Sequence, residues 1–245
     1  MVPDNQLEEF VRRMRAAAGQ NLESVILFGS AVAGDFHPEF SNLNLFCVLR
    51  DSGFAALQAL APAVRWWNRQ KQPLPLLMTR KELERSTDIF TIELLDMVQH
   101  HRVLFGEDTL QGLQIPLHLH RVQVEYELRE KLLLFRQQLV LNAGDKRRLW
   151  SLLLCSAPSF VTLFRHALIA LGHTAPAGKR AAVKALADQV EFEPSAIYQV
   201  LDLREHKIKA GKLDVNDLLL RYLVAIERVA TAVDQTLEAD TAARS

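Results

Sequence analysis

Ser24-Val25-Ile26-Leu27-Phe28-Gly29-Ser30 and, after a polar loop, Ser41-Asn42-Leu43-Asn44-Leu45-Phe46-Cys47-Val48-Leu49 are the stretches on which the reading of this chain turns. The first reads as a short buried strand that stops abruptly at Gly29-Ser30. The second reads as another strand, from Leu43 to Leu49, and the intervening Gly34, Asp35, His37, Pro38 and Ser41 supply the turn chemistry of a hairpin-like connection. Residues 42 and 44 are two apart, so the period-2 alternation of a strand points both side chains to one face. Asparagine is depleted in strands. Two on one face of an otherwise apolar strand therefore mark that face as a polar cleft rather than as core.

Working outward, Asp4 is placed to cap a helix whose Leu7, Phe10, Val11 and Met14 recur at helical spacing, with Gly19 as its terminator. Downstream, Phe54 to Asn68 reads as a helix. Pro73 to Thr79 reads as a third strand whose prolines suit a sheet edge or a strand start, and Thr79 with Glu82 forms a capping box for a short helix. Asp88 to Gln99 is too uniformly apolar for its period to separate helix from strand, and helix is the expectation; Arg102 to Gly106 is expected to be a last short strand. Near Pro116 the strand signals end and long amphipathic helices take over, marked by Leu128, Leu132, Phe135 and Leu139, and by Leu219, Tyr222, Ile226, Val229, Val233 and Leu237. A helix over Leu149 to Leu171, bent at Pro158, and shorter ones over Lys179 to Gln189 and Pro194 to Arg204, complete a bundle of four or five. The expected fold class is α+β: a mixed sheet with flanking helices over residues 1–112, an all-α helical bundle over 113–238, and a frayed tail over 239–245.

Bulk properties agree with a soluble protein. The chain has 245 residues, which suits two domains. It is 49% apolar and 24% charged, enough to bury a sizeable core. Lys plus Arg and Asp plus Glu are 29 each, so the overall charge indicates neither nucleic acid nor an anionic membrane as a partner. No basic start precedes an apolar run at the N-terminus, and no uninterrupted apolar stretch approaches the ~18–20 residues that span a bilayer, so the expected location is cytoplasmic. Cys47 and Cys155 sit in apolar segments and are expected to act as small core residues. His100-His101 and His118-x-His120 lack a ligand spacing with an acidic partner and read as solvated or interdomain histidines rather than metal ligands. Lys146-Arg147-Arg148 and the cluster Lys207, Lys209 and Lys212 read as solvated surface. Trp66-Trp67 should give one buried ring and one exposed or interfacial ring.

The order and spacing of Ile26 to Ser30 and Ser41 to Leu45 resemble the signature of the polymerase-beta-like nucleotidyltransferase superfamily, and the helical second half is similar to the substrate domain of aminoglycoside-type members. In that family one strand ends in Gly-Ser and the next carries carboxylate, apolar residue, carboxylate. The resemblance implies a nucleotide site at Gly29, Ser30 and Ser41, where glycine admits a triphosphate close to the backbone and the serine hydroxyl donates to phosphate. It also implies that Asn42 and Asn44 stand where active members use carboxylates to hold two magnesium ions. An amide oxygen coordinates a cation but brings no charge. The family's third carboxylate, on a later strand, has no counterpart in Pro75-Leu76-Leu77-Met78; Glu93 and Asp96 lie downstream. No Arg-x4-to-6-His ribonuclease motif occurs in the helical half.

The reading is thus a degenerate nucleotidyltransferase fold, a pseudoenzyme that binds a nucleotide or a protein partner. Two alternatives stand beside it: an active transferase moving NMP from an NTP to a hydroxyl acceptor, with Mg2+ as cofactor, and an interaction scaffold that binds no nucleotide. Expected partners are an NTP, and a protein or a second copy of the chain met through the helical domain.

Overall fold

In the computed structural model, residues 4–32, 42–176 and 178–242 are described, with side chains to Gln235. The chain divides into two compact units, Met1–Pro116 and Leu117–Ser245. The division falls after Pro116 rather than after residue 112 because Leu110 is fully buried in the first unit's core and Leu113 and Ile115 pack on the same cluster.

The first unit is a four-stranded sheet in the order β3-β2-β1-β4. It comprises β1 (Leu22–Phe28), β2 (Asn44–Leu49), β3 (Leu76–Thr79) and β4 (His101–Gly106). β1 is antiparallel to both β2 and β4, whereas β3 runs parallel to β2 at the edge. The edge is where a strand preceded by Pro73 and Pro75 belongs, since proline cannot donate to a ladder. Helix α1 (Asp4–Ala18) and helix α2 (Phe54–Arg69) cover one face. Their Leu7, Phe10, Met14, Leu60 and Trp67 pack on Val25, Leu27, Leu43, Leu45, Cys47 and Leu49. Trp67 is wholly buried, 4.8 Å from the Phe10 ring by centroids, and its Nε1 donates to the Pro73 carbonyl at 2.9 Å. A buried indole N–H must find such an acceptor. Trp66 is only partly buried, with the Arg13 guanidinium 4.7 Å above its ring.

Helices α3 (Arg80–Arg85) and α4 (Thr91–Gln99) serve the other face, where Leu83, Leu94, Met97 and Leu110 pack on Ile26, Phe46 and Val48. The capping box at the start of α3 is complete: Thr79 Oγ1 accepts from the Glu82 N–H at 3.2 Å, and the Glu82 carboxylate accepts from the Thr79 N–H at 2.6 Å. Two local expectations are corrected. Asp4 is the first helical residue and its carboxylate accepts from Arg102 at 2.7 Å instead of capping α1. The uniformly apolar run from Asp88 is helical only from Thr91, because Ser86 to Phe90 closes turns through N–H groups of Ile89 and Phe90 donating to the Ser86 carbonyl.

Among the described residues the second unit holds five helices: the long α5 (Leu117–Leu141), α6 (Lys146–Ala170) and α9 (Val215–Ala242), and the shorter α7 (Lys179–Val190) and α8 (Ser195–Arg204). The last continues past residue 239, where a frayed tail was expected, since no Gly or Pro interrupts helix propagation there. Phe135, Phe160 and Tyr222 form an aromatic triad at centroid distances of 5.6–6.0 Å. Helix α6 contacts α5, α7, α8 and α9, which explains its apolarity. It is long and apolar enough in composition to cross a membrane, but half of its most apolar stretch is buried in the protein. Cys155 is exposed on α6 rather than in the core, while Cys47 is buried in β2.

Candidate functional site

The site grows from the register of β1 on β2. Phe28, the last residue of β1, pairs with Asn44, the first of β2. The next residue, Gly29, turns the chain with a φ of +80° and opens a single turn of 3-10 helix over Gly29–Ala31, closed by the Val32 N–H donating to the Gly29 carbonyl at 3.0 Å. A side chain at Gly29 would collide with the cleft: a Cβ built there lies 2.9 Å from Asn44 Nδ2. The Asn44 amide therefore occupies the space over Gly29 where a side chain would stand, and the two halves of the sequence signal meet at one point. Ser30 is partly exposed beside them.

Leu43 and Leu45 are buried against α1 and α2, so Asn42 and Asn44 lie on the opposite face, the one that Phe46 and Val48 continue into the core. Asn42 is exposed and Asn44 half-buried, as a cleft requires. Ser41 lies outside the described residues, as does most of the loop that carries Asp35 and His37.

Neighbouring strands complete the row. The parallel β2–β3 ladder begins with Phe46 paired to Leu76. The segment before β3 is tethered to β2, since the Leu43 N–H donates to Gln72 Oε1 at 2.9 Å. Leu76 is 41% exposed. On the other side, His101 of β4 pairs with Phe28. Its Nδ1 lies 2.8 Å from the Met97 carbonyl and its Nε2 3.0 Å from Asp108. Burial works to raise the Asp108 pKa, but the His101 ring and the Leu110 N–H outweigh it and hold that carboxyl below its usual value.

The magnesium ions that the fold implies do not fit these donors. Divalent magnesium is held by carboxylates and phosphates in near-octahedral geometry. Asn42 and Asn44 contribute no charge, and the next strand, β3, carries no carboxylate. Among the described residues no group of three or more His, Cys, Asp or Glu side chains is placed to hold a metal ion. The histidines of the helical unit are corrected as well: His120 is buried, not solvated, with Nε2 2.8 Å from Nδ1 of the buried His166. Sequence reading missed His166 because a lone histidine in an apolar run gives no signal of its partner. It missed His101 as a neighbour of the cleft because strand pairing alone brings it there.

Against known proteins, a family model described as a nucleotidyltransferase domain matches residues 5–99, less than half of the chain. None of the curated proteins gives a significant match. Among solved structures, the chain is similar to a spectinomycin adenyltransferase from Enterococcus faecialis, solved with ATP and spectinomycin. The TM-score is 0.61 at 16% identity, over 94% of this chain and 99% of that one. A toxin–antitoxin structure with AMP-PNP aligns at a TM-score of 0.30 and 16% identity, over 41% of this chain and 74% of that one, too little overlap to carry an argument. The domain match and the adenyltransferase likeness together define the architecture: this chain is a nucleotidyltransferase-fold protein, in which a nucleotidyltransferase-like sheet domain is followed by a helical region.

Proposed function

We propose that this protein has little or no nucleotidyl-transfer activity and acts by binding a nucleotide, or a protein partner, at the Gly29–Asn44 cleft. The observation that carries the reading is the Asn44 amide standing over Gly29, where a side chain at 29 would meet it: the glycine expected to cradle phosphate is present, and the side chain facing it is neutral. Transfer of a nucleoside monophosphate needs a divalent ion to neutralise charge on the pyrophosphate leaving group. Two neutral amides supply little attraction for one. The adenyltransferase of similar fold, solved with ATP, supports a nucleotide as the ligand class.

Reverting both asparagines, N42D/N44D, and following transfer of labelled NMP with magnesium tests the proposal. The unmodified protein should show no magnesium-dependent turnover, and activity appearing only after reversion supports the reading. Robust turnover by the unmodified protein would defeat it in favour of an active transferase. Thermal shifts with ATP, GTP, CTP and UTP address the scaffold alternative, because a ligand selective for the native state raises the melting temperature by mass action.

A further inference from the structure

We infer that the helical unit carries a ligand site of its own, a cavity between the ends of α6 and α7 and the side of α9 that takes a free amino acid. Its carboxylate pairs with Arg228, its ammonium with Glu191, and an apolar side chain lies on Leu171 and Val190. The cavity follows from the packing. Helix α6 packs on both α7 and α9, whereas α7 and α9 meet at few points, and the gap between them is a cavity of about 480 Å3. Small-molecule pockets are typically ~300–1,000 Å3, apolar in the main with a few convergent polar groups. Here Leu171, the C-cap of α6, and Val190, the last residue of α7, supply the apolar part, and Gln189, Glu191 and Arg228 are among the polar groups around it.

Charge sets the ligand class. Elsewhere in this unit Arg129 meets Asp234, Arg136 meets Glu227, Arg180 meets Asp202 and Arg221 meets Asp217, at 2.6–2.8 Å. Arg228 differs. Its Nε donates to the Val190 carbonyl at 3.3 Å, which fixes the guanidinium beside the end of α7, and it forms no ion pair among the described residues. The N–H donors of its terminal nitrogens remain, a fork that matches a carboxylate. Glu191 follows that carbonyl in the chain and lines the same cavity, yet does not pair with Arg228. Opposite charges that share a cavity without neutralising each other suit a ligand carrying both. A simple anion would meet Glu191, and a simple cation would meet Arg228. Both α6 and α7 also present their carbonyl ends here, the ends that favour an ammonium. Glu191 holds a left-handed backbone, φ +55°, where helix ends usually place glycine. A glycine would relieve that strain but would remove the carboxylate.

Thermal unfolding of the full chain with each standard amino acid at millimolar concentration, followed by isothermal titration, tests the inference. At least one amino acid with an apolar side chain should raise the melting temperature. Its N-acetyl and carboxamide derivatives should each bind at least about tenfold more weakly, because each loses one charged partner. Glu191→Gln and Arg228→Lys should weaken the free amino acid by a similar factor, the first by removing the charge and the second by removing the fork. In Glu191→Gln the N-acetyl derivative should bind no worse than the free amino acid, the coupling expected if ammonium and carboxylate meet. Circular dichroism of both variants separates lost binding from lost folding. No rise in melting temperature with any amino acid overturns the inference. So does an N-acetyl derivative that binds the unmodified protein as tightly as the free amino acid, or binding that survives both substitutions in a folded protein. None of these residues belongs to the Gly29–Asn44 cleft, so each outcome leaves the nucleotide reading as it was.

Discussion

Gly106→Ala isolates how tightly β4 is fitted to β1. Gly106 closes β4 at φ +79°, paired with Ser24, and a Cβ built on it would lie 1.9 Å from the Glu23 carbonyl oxygen and 3.1 Å from Ser24 Cα. These are backbone atoms, so no side chain can swing aside. Gly112 has the same φ of +79° and open space where its Cβ would be. Alanine at 112 therefore meets only the left-handed backbone term, about 1–2 kcal/mol. At 106 the same term is joined by a collision that must open the β1–β4 pairing. With it go the bonds that the buried Ser24 hydroxyl donates to the Phe105 and Glu107 carbonyls, at 3.2 and 2.7 Å. Leaving that hydroxyl unsatisfied costs a further ~1–3 kcal/mol, so G106A should lose roughly 2–5 kcal/mol in all. Urea unfolding followed by far-ultraviolet circular dichroism measures both variants, and at about 2–4 °C per kcal/mol the melting temperatures should separate visibly. If G106A falls within about 1 kcal/mol of G112A, the tight pairing at this position is refuted.

Thr79→Ala removes the capping box of α3 and should cost about 1 kcal/mol, read as a lowered urea midpoint at unchanged slope. The two thiols should react in sequence with a chromogenic disulfide: exposed Cys155 at once, and Cys47, whose thiol burial pushes far up, only on unfolding. Simultaneous reaction of both in the native state would contradict the buried β2. Because the Asp108 carboxyl is held below its usual value in the folded state, its contribution to stability is full above the unfolded carboxylate pKa of about 4 and is lost as pH falls through the lowered folded value. Asp108→Asn should flatten the stability profile in that acid range and leave its shape near neutrality unchanged; an unaltered acid limb would remove Asp108 from the account.

Local chemistry was legible in the chain because it is encoded locally. The turn from β1 into Gly29-Ser30, the capping box at Thr79 and the shared face of Asn42 and Asn44 each follow from residues within a few positions of one another. Prolines 73 and 75 announced an edge strand for the same reason. Partners far along the chain were not legible. Cys155 and Cys47 sit in similar apolar runs, yet one faces solvent and the other a helix-covered sheet, a difference made by which neighbours pack on each. Only the parallel offset of β3 on β2 sets Leu76 against Phe46, and only the antiparallel pairing of β4 with β1 brings His101 into the row of Phe28 and Asn44. The sequence by itself determined the strand, the glycine turn and the paired amides, because backbone sterics and period-2 alternation act over a few residues. What stands against those amides was decided by the tertiary structure, because the register between strands is a property of the whole sheet.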